Sequence, residues 1–134
     1  MQPVAWERRQ VRSNQLGRAL ELYFDTIAGA FDLSHVVLAD HSGLVQSCYG
    51  DPDAGYALAA YAPMLGRAVD PFTRERIEES LEQYVPGASA DRISVRTFEV
   101  IGETLYAIVV GPGGAARDVA LTRVMSGARR ILSH

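Results

Sequence analysis

Two stretches of this chain, Val36-Val37-Leu38-Ala39 and Leu105-Tyr106-Ala107-Ile108-Val109-Val110, are apolar at every consecutive position. Side chains alternate between the faces of a strand, so a strand apolar at both parities must be covered from both sides. Such strands belong mid-sheet, with helices above and below. The expected fold class is therefore α+β: a three-layer α/β/α sandwich, its sheet mainly antiparallel, with helices on both faces.

The rest of the chain supplies those layers. Residues 1–13 read as a flexible N-terminal arm and residues 14–134 as a single domain. A first helix is expected from Asn14 to Phe31, capped by Ser13 or Asn14, with Leu16, Leu20, Tyr23, Ile27 and Phe31 on its apolar stripe. His35 to Asp40 and Leu44 to Tyr49 read as two strands joined by His41-Ser42-Gly43. Gly50-Asp51-Pro52-Asp53 breaks the pattern and opens a second helix running to about Val69, with Leu58, Ala62, Leu65 and Val69 toward the sheet. Pro63 inside it is expected to kink it. Thr73 to Tyr84 reads as a short charged helix anchored by Ile77 and Leu81, ended by Pro86-Gly87. Ile93 to Val100 and Thr104 to Val110 form a hairpin around Ile101-Gly102-Glu103. After Gly111-Pro112-Gly113-Gly114, a last helix carries Leu121, Val124, Met125, Ala128, Ile131 and Leu132 on one stripe. Arg117, Arg123, Arg129 and Arg130 are expected on its wet side.

The totals exclude several functions. With a net charge of −3, the chain lacks the cationic surplus of a general nucleic-acid binder. All 13 basic residues are arginine, so neither a Walker phosphate loop nor a Schiff-base lysine is available. The single cysteine, Cys48, rules out an intramolecular disulfide and a cysteine metal cluster. Arg8, Arg9 and Arg12 are followed by no apolar stretch of the kind a secretory leader needs. No apolar run approaches the roughly 18 residues of a membrane span, so no membrane insertion is expected and the expected location is the cytoplasm.

Candidate chemistry is sparse. Asp40-His41-Ser42 holds the letters of a hydrolytic triad, but three consecutive side chains diverge and cannot chain Ser to His to Asp; the segment reads as a turn. Cys48, with His35 or His41 as a possible base, has no helix N-terminus or basic neighbour in sequence to lower its pKa and reads as a structural thiol. Gly111 to Gly114 with Arg117 lacks the spacing of a phosphate loop. Arg74, Glu75, Glu78, Glu79 and Glu82 read as a solvated helix face or, alternatively, a docking patch for a basic partner. No catalytic, cofactor or metal residue is nominated.

The second helix is different. Small residues are dense along it, and Tyr56, Ala57, Ala60, Tyr61, Met64 and Arg67 form a face turned away from the sheet stripe. Aromatic residues, Met and Arg are enriched in protein interfaces, so this face is a candidate contact surface.

The segment His35-Val36-Val37-Leu38-Ala39-Asp40-His41-Ser42-Gly43-Leu44-Val45-Gln46-Ser47, the Ala-rich helix, the hairpin from Ile93 to Val110 and the closing Ala128-Arg129-Arg130-Ile131-Leu132 together resemble the roadblock (dynein light-chain) superfamily. The nearest likeness is to its bacterial Mgl type, from gliding-motility polarity systems, and it covers about Leu16 to Leu132. The resemblance implies a roadblock-like, profilin-like sandwich and a homodimer built from the second helix and the first strand of the later hairpin. Here those positions are the helix face just named together with Ile93, Val95 and Thr97. It also implies partners of a few kinds: another roadblock protein, a Ras-like GTPase, or a polarity factor. Members have no active site of their own and no cofactor. The expected function is thus a non-enzymatic adaptor or regulator in a GTPase polarity or motility module. Its alternatives are a GTPase-activating or exchange co-regulator touching the GTPase directly, for which no arginine finger is evident, or a GAF/PAS-like small-ligand sensor. A sensor would need a polar internal pocket.

Overall fold

A computed structural model describes the backbone of residues 5–67 and 70–133, and side chains from residue 15 onward within those spans. Residues 1–4, the start of the expected arm, and Val69 lie outside the described residues. The elements run α1 (Ala5–Phe31), β1 (His35–Asp40), β2 (Val45–Tyr49), α2 (Pro52–Arg67), α3 (Pro71–Leu81), a single 3₁₀ turn (Ala88–Ala90), β3 (Ile93–Val100), β4 (Glu103–Val110) and α4 (Gly114–Leu132). No helix among the described residues is long and apolar enough to cross a membrane.

The first helix corrects one expectation. It begins at Ala5, so most of the expected arm is helical, and Ser13 and Asn14 lie inside the helix instead of capping it. Straight-chain Glu, Arg and Gln dominate residues 7–15, with no Gly or Pro among them, and such residues lose little rotamer freedom in a helix.

The sheet is four-stranded and antiparallel, ordered β2-β1-β4-β3. The two segments apolar at both parities, β1 and β4, are its two central strands. Val36, Leu38, Ala107 and Val109 pack against Phe24, Ile27, Leu121 and Val124 of α1 and α4. Val37, Ala39, Ile108 and Val110 pack on the other face against Leu58, Leu65, Ile77 and Leu81 of α2 and α3. The three-layer α+β sandwich follows from that alternation.

Local chemistry closes the corners. One carboxylate oxygen of Asp40 accepts the backbone N–H of Ser42 at 2.8 Å and of Leu44 at 3.0 Å. Gly43, at φ 83°, takes the left-handed conformation that this β1–β2 turn requires. Asp70 caps α3 by accepting from the N–H of Thr73 at 2.7 Å, directly ahead of Pro71 at the first helical position.

Candidate protein-binding surface

Asp40-His41-Ser42 forms the turn its spacing implies, not a triad. Asp40 is committed to its turn amides, and His41 and Ser42 are exposed beside it. Cys48 is half-buried on β2, and burial, aided by the nearby Asp51 carboxylate, pushes its thiol above the ordinary range. A thiol held protonated is a poor nucleophile. His35 is buried, its Nδ1 2.9 Å from the Ser34 hydroxyl, and burial lowers its pKa against an opposing pull from Asp51. No cluster of three or more His, Cys, Asp or Glu that could hold a metal gathers among the described residues.

Arg117 is not on the wet side of α4. It is 6% exposed, and its guanidinium donates to the Ser94 hydroxyl (2.6 Å) and to the backbone carbonyls of Asp91 (2.6 Å) and Gly111 (3.2 Å). It ties α4 to the start of β3 and the end of β4, and is not placed to hold an anion. The sequence carried a signal: Arg117 sits four residues before Leu121, in line with Val124 and Ala128 on the buried stripe. The other three arginines are exposed, lying over Phe31 (Arg123, 5.4 Å), Phe98 (Arg129, 5.5 Å) and Tyr23 (Arg130, 5.5 Å).

The charged patch of α3 is also reduced. Glu78 is buried, 3.5 Å from Arg74, and its carboxyl is pushed up by burial against the pull of that arginine. It faces inward because it flanks the anchors Ile77 and Leu81. Arg74 is half-buried and donates to the Ile93 carbonyl at 2.8 Å. Glu82, though exposed, accepts from the N–H groups of Gly87 (2.7 Å) and Ser89 (2.8 Å), which hold its carboxyl below the usual range and tie down the loop after α3. Glu75 and Glu79 are exposed.

What remains open is the outer face of α2. Ala54, Leu58, Ala59, Ala62 and Leu65 are buried against the sheet. On the opposite side Tyr56 is 64% and Met64 45% exposed, Ala60 and Arg67 are exposed, and Ala57 and Tyr61 are half-buried. A hollow of about 560 Å³ between α2 and α3 is lined by Met64, Arg67, Phe72, Arg76 and Ile77. A second, of about 580 Å³, lies at the other end of α2 beside Asp51, Asp53, Tyr56, Tyr61 and Tyr84.

Strand β3 lies next to this face as an edge strand of the sheet. Ile93, expected at a contact surface, is instead fully buried, because α3 and the 3₁₀ turn close over the start of the strand. Val95 is half-buried and Thr97 exposed. The N–H of Gly111 bonds the Arg92 carbonyl at 2.9 Å, so even-numbered residues of β3 turn their backbone toward β4 and odd-numbered ones turn outward. Arg74 covers the outward carbonyl of Ile93. Among the described residues, no partner meets the outward backbone groups of Val95 and Thr97.

No family model matches this chain, and neither a curated protein nor a solved structure matches it.

Proposed function

We propose that this chain is a non-enzymatic adaptor that works as a homodimer and presents its surface to a second protein in a GTPase-controlled polarity or motility module. One observation carries the dimer: the exposed outer face of α2 adjoins the free edge of β3, so a single partner copy could cover both. Edge strands without a pairing partner are an exposure that folded proteins manage by covering them, and Tyr, Met and Arg are what an interface core uses. The proposal of a GTPase or a roadblock-type partner rests on the resemblance of the β1–β2 hairpin, α2 and the later hairpin to that superfamily. The non-enzymatic reading is supported by Asp40, which is committed to its turn amides, and by the half-buried Cys48, whose thiol burial pushes above the ordinary range. Both inner faces of the sheet are filled by apolar side chains, which favours an adaptor over a small-ligand sensor.

Light scattering on the purified chain at micromolar concentration tests the dimer, and a clean monomer overturns it. Ala60→Asp should split it: across a two-fold axis the substitution introduces two carboxylates at once, and an unpaired buried charge costs about 3 kcal/mol or more, about a hundredfold in Kd. Titrating the dimer with a Ras-like GTPase loaded with GTP or with GDP tests the partner; equal indifference to both removes the GTPase from the proposal.

A further inference from the structure

The aromatic rings at the surface of this chain are finished unequally. Arg123, Arg129 and Arg130 lie over Phe31, Phe98 and Tyr23. No arginine among the described residues lies over Tyr56, Tyr61 or Tyr84. Those three tyrosines line one hollow of about 580 Å³ together with Asp51 and Asp53, and no cationic residue lines it. Tyr56 and Tyr84 are exposed, and neither aspartate forms an ion pair among the described residues. Carboxylates beside uncovered aromatic rings suit a guanidinium group, which stacks on the one and pairs with the other. The positive end of the α2 dipole, about half a charge, is outweighed there by the two aspartates.

The chain carries guanidinium groups in excess at its opposite end. Residues 5–18 hold Arg8, Arg9, Arg12 and Arg18 against Glu7 alone, leaving nine arginines to fifteen acidic residues elsewhere. They belong to α1, whose Leu16 and Gly17 share a small hollow with Gln46 of β2 and with Glu103, the first residue of β4. That is the end of the sheet where both hairpins turn. Residues 5–15 continue α1 past it by about 16 Å at 1.5 Å per residue. The tyrosine hollow lies at the other end of the sheet, where β2 leads into α2, and in the layer on the opposite face. An arm and a hollow so placed cannot meet within one molecule. We infer that the arginine-bearing start of α1 in one copy docks in the hollow of Asp53, Tyr56 and Tyr84 in another, a head-to-tail contact. Donor and acceptor are different surfaces, so a copy filled at its hollow still has a free arm, and assembly runs on to chains or a closed ring. This contact goes beyond the homodimer proposed above, and Asp51, Asp53 and Tyr84 lie outside the face assigned to that dimer.

Two variants test it. Arg8→Gln, Arg9→Gln and Arg12→Gln together remove the donor while keeping good helix formers; Asp53→Asn with Tyr84→Ser removes the acceptor. In sedimentation velocity at low ionic strength the parent should grow with concentration beyond the species either variant forms. Association beyond that species should be at least tenfold weaker in each variant, and the parent's growth should fade in high salt. Mixed one to one, the two variants should associate again, because the arms of the hollow variant meet the intact hollows of the arm variant. Circular dichroism checks that each is folded; if the paired acceptor substitution is not, Asp53→Asn alone takes its place with the same direction expected. A parent no larger than the arm variant overturns the contact, and so does growth lost with the arm but kept by the folded hollow variant. A parent that does not grow but pellets with anionic vesicles, or binds RNA, through the same arginines also overturns it. A parent that stays a dimer keeps the homodimer and removes this contact; a parent that grows while the arm variant is a monomer does the reverse.

Discussion

Truncating Arg117 should destabilise the fold far more than truncating Arg123 two turns along the same helix. Arg117 is buried, and its fork satisfies the Ser94 hydroxyl and two backbone carbonyls; Arg123 is exposed and lies over the Phe31 ring. Arg117→Ala leaves the Gly111 carbonyl without its charged donor in a buried site, while Asp91 and Ser94 can recover water. A hydrogen bond to a charged group contributes about 1.5–3 kcal/mol, and losing one partner of a buried charged network costs about 3–5 kcal/mol. With two of three acceptors partly rescued, about 3–4 kcal/mol is expected. Arg123→Ala removes an exposed cation–π contact of about 0.5–1 kcal/mol. Both substitutions put alanine inside α4, so the intrinsic helix preference cancels in the comparison. Urea unfolding of the two variants and the parent gives the difference directly, and at a few degrees per kcal/mol Arg117→Ala should lower Tm by about 10 °C. Two variants within 0.5 kcal/mol of each other would show that the Arg117 network does not hold β3, β4 and α4 together.

Further expectations concern single positions. Gly17→Ala should raise stability by about 0.5–1 kcal/mol, since a Cβ there meets nothing within 4 Å in mid-helix. Gly127→Ala should lower it by about 1–3 kcal/mol, because the new methyl runs into the Tyr23 ring, whose hydroxyl is held at 2.8 Å by the Arg123 carbonyl; thermal melts of the pair should move in opposite directions. Ser47→Ala should be neutral or stabilising by up to about 1 kcal/mol in urea, as the buried Ser47 hydroxyl finds no partner among the described residues. His35, whose folded pKa is lowered from about 6.5 by burial, keeps the fold stable while neutral. The unfolded chain takes up that proton first as pH falls, so stability should drop below the ordinary histidine pKa and level off below the lowered one. His35→Asn should flatten that part of the profile measured by urea midpoints between pH 7.5 and 5.

The sheet was legible because its signal is local. Residues apolar at both parities in β1 and β4 dictate central strands and two covering layers, and the bounds of β1 and β3 are set by the turns that flank them. What escaped depends on distant chain. Phe24, fully buried, shares the first-helix stripe with Leu20 and Ile27 as well as Tyr23 does, and only the angle of α1 on the sheet decides between them. Glu78 is hidden by how α3 tilts, not by its own sequence. Ile93 shares a face of β3 with Val95 and Thr97, but it is buried because α3 and the turn after it close over the start of the strand. Arg117 stood on the apolar stripe of α4, where an arginine signals a buried anchor as readily as a helix edge.

The two helical layers differ in how they end at the solvent, and that difference is the strongest reason to look for a partner on one of them. Over α1 and α4, arginines lie across Phe31, Phe98 and Tyr23 and shield their rings, so aliphatic stems and guanidinium planes finish the surface. Over α2 and α3, Arg76 at 5.9 Å from the Phe72 ring is the counterpart, and Phe72 is still 68% exposed. Of the eight large apolar side chains exposed among the described residues, Leu22, Leu44, Ile101 and Val119 are spread over other elements, whereas Tyr56, Met64, Phe72 and Tyr84 gather around α2 and α3. Scattered exposure is ordinary for a folded chain, whereas exposure gathered on one layer is the pattern expected of an interaction surface. Both faces of the sheet are thus covered by the chain's own helices, but only the layer of α2 and α3 leaves several large apolar side chains exposed together, and the proposed dimer rests on that exposure.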